Sequence, residues 1–132
     1  MADFVLCPAL AMGIVIGIVE FGFVHADEPG GIGFGHAFHA LPWAVLATFI
    51  CMNISFVLHL VGINVAESFT LVLMIRLGVA VASMVKIQMA AAIGRGVGEK
   101  IPHTLIIGAL IFAAPYLWEY VLDGLLGSVL PC

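Results

Sequence analysis

The chain has 132 residues, 64% of them apolar and only 9% charged. Soluble domains carry about 45–50% apolar and about 25% charged residues, and a soluble fold of this size could not cover so much apolar surface. The formal net charge of −4, from 8 acidic and 4 basic residues, excludes a clustered basic face for nucleic acid and a polybasic patch for anionic headgroups. The composition predicts an integral membrane protein whose main partner is the lipid bilayer, all-α, with four transmembrane helices.

The four apolar stretches cover about 4–24, 43–63, 68–92 and 104–122, each long enough to cross about 30 Å at about 1.5 Å per residue. The first starts close to Met1 with no positive segment ahead of it, so it reads as a helix that stays rather than as a cleaved signal. Ala9, Gly13 and Gly17 recur on one of its faces; the GxxxG pair suits close packing against another helix. Glu20 lies further along the same stretch.

The connection that follows, about His25 to Leu41, is the longest and collects His25, Asp27, Glu28, His36 and His39. Imidazoles and carboxylates together suit a transition metal such as zinc, copper, iron or nickel, and His36 and His39 share a face if that stretch is helical. The competing reading is an interfacial loop whose polar residues meet water and headgroups. Its GGxGxG run, Gly30 to Gly35, is no nucleotide fingerprint, because no strand precedes it.

Pro42 and Pro102 stand before the second and fourth stretches, where a missing N–H costs nothing. Asn53 sits in the second, and its Asn-Ile-Ser sequon is read as inert within a span. The third stretch holds Arg76 near its middle and Lys86 towards its end; Glu119 lies in the fourth. Ionisable groups within membrane helices are costly and default to a functional reading. The formal charges of Glu20, Arg76, Lys86 and Glu119 sum to zero, which points to pairing: Lys86 with Glu20, Arg76 with Glu119 or Glu20, and Asn53 bonding Arg76. Such pairs fix helix register, or, as the sharper alternative, mark a proton or ion path. Lys86 and Glu20 could also snorkel to the interface.

Cys7, Cys51 and Cys132 are far apart, form no CxxC, and leave at least one thiol unpaired by their odd number. A shift of 61 positions places Gly17 on Gly78 and Ile32-Gly33-Phe34-Gly35 on Ile93-Gly94-Arg95-Gly96; read as a repeat, this makes two tandem helical hairpins. Arg95 and Lys100 in the third connection predict that it is cytoplasmic and that both termini lie outside.

The preferred functional reading is a non-catalytic subunit of a larger membrane complex, docking on other membrane subunits or on copies of itself. The alternative is an oligomeric channel or transporter for ions, protons or a small solute, using Glu20, Arg76 and Glu119. The third is a part of a metal-dependent membrane enzyme, with the histidine-rich connection supplying ligands.

Overall fold

The computed structural model describes residues 4–27, 34–63, 68–95 and 99–130. Every regular element among them is helical: α1 (Leu6–Asp27), α2 (Phe34–Met52), α3 (Ile54–Leu60), α4 (Phe69–Arg95), α5 (Ile101–Leu117), a π-helical segment (Trp118–Leu122) and α6 (Asp123–Leu126). In lipid, a spanning segment must satisfy its backbone internally, and a helix does so. Three helices are long and apolar enough to cross a membrane, and a fourth span results if α2 and α3 are counted together.

The long helices run alternately up and down. Val5, just before α1, meets Asn53 at the far end of α2, whereas Phe23, late in α1, stacks on His103, early in α5. α2 packs against α1, α4 and α5, so it forms the centre of the bundle together with α5. The core between them holds Met12, Ile16, Ala44, Ala47, Ile107, Ile111 and Ala114. The outward sides of the helices stay apolar: Met74, Val81, Val85 and Met89 of α4 are all exposed, and Ile93 is 84% exposed. Those sides suit hydrocarbon rather than water.

α1 and α2 approach most closely at the glycine stripe. Gly13 faces the backbone of Val45, Gly17 faces Leu41 and Ala44, and Ala9 is fully buried. The small-residue face is therefore occupied within the chain by α2, rather than left open for a partner. The α4–α5 pair makes its close contact elsewhere, where Gly108 lies against Met84 and Ala80. Gly78, aligned by sequence with Gly17, has open space in front of it.

The second stretch departs from the straight span that its sequence suggests. α2 begins at Phe34, inside the expected connection, so Pro42 lies within the helix rather than ahead of it. The helix then ends at Met52, and the chain turns by 96° into α3. α2 has 19 residues, about 28 Å of helix, and counts towards a fourth span only together with α3. Neither glycine nor proline stands at the turn; Asn53 does, at φ −126° and ψ 44°, and its side chain adds a second donor to the Phe49 carbonyl that its own N–H already bonds. In α5, Pro115 removes one helical donor, and three residues later the helix widens into its π-helical segment, with the Trp118 N–H shared between the Ala114 and Pro115 carbonyls.

Candidate functional site

Two polar junctions interrupt the apolar interior, one towards each end of the bundle. The first is built on the break after α2. The Asn53 side chain, only 3% exposed, accepts the Val5 N–H at 2.8 Å through Oδ1 and donates through Nδ2 to the Val5 carbonyl at 3.2 Å and the Phe49 carbonyl at 3.1 Å. It supplies a partner at the start of α1, where helical N–H groups have none. Phe4 packs over the same region, against Phe49 and Phe56.

Ending α2 at Met52 also frees carbonyls of its last turn. Arg76 reaches across from α4 and donates from Nε to the Cys51 carbonyl at 3.2 Å, while its guanidinium lies 4.9 Å from the centre of the Tyr116 ring. This corrects the expected pairing of Arg76: it meets neither Glu119, which is exposed at this end, nor Glu20, which lies towards the other. The broken helix offers a nearer acceptor, and an unpaired buried carbonyl is costly enough to claim the guanidinium. Arg76 and Asn53 serve one junction without bonding each other. Cys51, buried here, is a free thiol, and Cys7 in the first turn of α1 is disulfide-bonded.

The second junction is built around Glu20. This residue is 3% exposed on α1, and its Oε2 is buried without a hydrogen-bond partner. It lines a small cavity of about 10 Å³, together with His39, Lys86 and Glu99 and the aliphatic side chains of Val24 and Ile87. The charges of Lys86 and Glu99 both act on the Glu20 carboxyl, with opposite signs. Lys86 is held beside it: Nζ donates to the His39 carbonyl at 3.0 Å and lies 5.5 Å from the centre of the Trp43 ring. The indole Nε1 of Trp43 is also buried without a partner.

Glu99 is 8% exposed although it lies in a connection. Gln88 of α4 fastens that connection, donating from Nε2 to the Glu99 carbonyl at 2.9 Å and to the Thr104 hydroxyl at 2.6 Å. The residues the sequence singled out thus divide. Glu20 and Lys86 share the cavity, and His39, expected as a metal ligand, sits on its rim. Glu99, Gln88 and Trp43 were not singled out, because an acid in a polar connection reads as solvated and an amide or indole in an apolar helix as packing.

His25 is exposed at the end of α1. Glu28 lies outside the described residues, as do the side chains of Asp27, His36 and Arg95. Among the described residues, no group of three or more His, Cys, Asp or Glu is placed to hold a metal ion.

Among the described residues every regular element is helical, and three helices are long and apolar enough to cross a bilayer with apolar sides exposed, which is consistent with an integral membrane protein. Comparison with protein-family models, with curated proteins and with solved structures finds no match for this chain.

Proposed function

We propose that this chain is a subunit of a membrane assembly, formed with copies of itself or with other membrane chains, in which Glu20 carries an exchangeable positive charge along a translocation path. One observation carries this reading: a carboxyl oxygen buried in an apolar bundle with no hydrogen-bond partner, on a cavity that also holds an ammonium and a second carboxylate. A buried carboxylate without a full set of partners is costly, and taking up a proton or cation removes the cost. Intramembrane acids kept in spite of such a cost mark ion and proton routes.

The assembly follows from what lies beyond the cavity. Between Glu20 and the Asn53 junction, the bundle is filled mainly by Met12, Ile16, Ile107 and Ile111; the buried hydroxyls of Thr48 and Ser83 interrupt this filling but make no hydrogen bond to either junction among the described residues. A complete path needs a second chain or a second state of this one. The apolar sides of α4 and α5 offer area for the former.

Orientation belongs to the same proposal. Arg95 and Lys100 lie at the Glu20 end, which supports a cytoplasmic placement of that end. The disulfide at Cys7 lies at the opposite end and supports an oxidising compartment there.

The test is reconstitution into vesicles carrying a pH-sensitive or cation-sensitive dye, with native mass spectrometry of the same preparation. Glu20→Gln is expected to keep the assembly and lose the flux. Wild-type flux in that variant, or no flux from the intact wild-type assembly under any ion gradient, refutes the role given to Glu20.

A further inference from the structure

We infer that the charge exchanged at Glu20 is a proton, delivered by a single water molecule in the adjoining cavity; this rests on the role proposed above for Glu20. The cavity, at about 10 Å³, has room for one water and little more. Its polar lining is small: the Glu20 and Glu99 carboxyls, His39 at the rim, and the Lys86 ammonium.

A metal cation stripped of its water needs several oxygens at close range. The oxygens at this junction are those of Glu20 and Glu99 and the His39 and Glu99 backbone carbonyls, each of which already accepts one hydrogen bond, from Lys86 and from Gln88. A cavity of about 10 Å³ leaves no room to complete a cation's shell with further waters. An incoming cation would also share the cavity with the Lys86 ammonium, and like charges at such range repel strongly away from water. A proton needs one oxygen, and Glu20 Oε2 is unpartnered.

Among the described residues, the ionisable groups that line the cavity with Glu20 are Lys86 from α4, Glu99 from the segment before α5 and His39 from α2. His103 of α5 stacks on Phe23 at 4.3 Å, one turn along α1 from Glu20. In the transfer, the cavity water hands one proton to Oε2 as it takes another from outside the cavity, so it stays neutral throughout; the reverse step returns the proton. His39, exposed on α2, stands at the outer end of the cavity.

The test uses the whole chain in lipid nanodiscs and a hydrophobic carbodiimide, which reacts with protonated carboxyls, read by mass spectrometry of the peptide containing Glu20. Labelling of Glu20 is expected to fall about tenfold per pH unit above its midpoint, as a single protonation requires. At constant pH and ionic strength, replacing choline by sodium, potassium, lithium or calcium is expected to leave labelling unchanged, with exposed Glu119 as the reference for the reagent. Protection of Glu20 by one of these metal ions overturns the proton and leaves Glu20 standing as an ion site. Glu20 that stays unlabelled at every pH while Glu119 reacts overturns both readings.

Discussion

Replacing Gly13 by alanine tests the contact on which the bundle is hung. A methyl group there would stand 2.6 Å from the Val45 Cα, 3.2 Å from its Cγ2 and 3.3 Å from its Cβ. Carbon atoms rest at about 3.5–4.0 Å, so α1 must retreat by about 1 Å, and a backbone atom cannot rotate out of the way. Overpacking of this kind costs about 1–3 kcal/mol, and the better helix propensity of alanine returns up to about 1 kcal/mol. Gly13→Ala is therefore expected to destabilise by about 1–2 kcal/mol. At Gly17 the nearest atom, 2.5 Å away, is the Leu41 Cδ1, the end of a side chain that can swing, although the Leu41 Cα remains at 3.1 Å; the loss there should be smaller. At Gly78 nothing lies within 4 Å, so alanine is expected to be neutral or stabilising by a few tenths of a kcal/mol. The assay is unfolding in mixed micelles of rising SDS fraction, followed by tryptophan fluorescence, since Trp43 in α2 and Trp118 beyond α5 report on the central pair. Equal midpoints for Gly13→Ala and Gly78→Ala would show that α1 and α2 do not approach as described.

The Asn53 junction gives two further expectations. Asn53→Ala should cost about 1–3 kcal/mol and speed hydrogen exchange at Val5, whose N–H loses its acceptor; unchanged exchange would remove Asn53 from that role. Arg76→Leu strands the Cys51 carbonyl but no carboxylate, so a loss of about 1–3 kcal/mol is expected with no recovery on adding Glu119→Gln. Recovery would mean that the two are paired after all. Lys86 should behave in the opposite way. Lys86→Met leaves Glu20 without the cation beside it, and adding Glu20→Gln should restore part of the loss, with a coupling of about 0.5–3 kcal/mol in a double-mutant cycle; additive losses would separate Lys86 from Glu20.

Much of the bundle is legible in the sequence because lipid permits few solutions. Long apolar stretches become helices, and the rare polar residues within them turn inward, as Glu20, Asn53 and Arg76 do. The partners of those residues are less legible. Matching Arg76 to a carboxylate assumes continuous helices, in which every carbonyl is satisfied by the backbone. The break at Asn53 supplies an acceptor that charge arithmetic does not count. Its only trace in the sequence is an asparagine in an apolar run, whereas Pro42, the more conspicuous signal, lies inside a helix that continues past it. Glu99 shows the converse difficulty. It reads as a solvated residue of a connection, and only the fastening of that connection by Gln88 brings it into the interior beside Glu20.

The junction at Asn53 also sets an order of events during biosynthesis. The ribosome delivers Val5 and Asn53 before α4 exists, so the α1–α2 hairpin can close its Asn53 clasp while the chain is still emerging. The Cys51 carbonyl has no such local partner: its donor lies 25 residues further on, at Arg76. Until α4 enters the membrane, that carbonyl must be kept near headgroup water, because hydrocarbon offers it nothing. The nascent hairpin therefore waits with one side finished and one side open. Arrival of the arginine completes the broken helix and draws the second half of the chain against the first, so that maturation of the bundle is coupled to the insertion of α4.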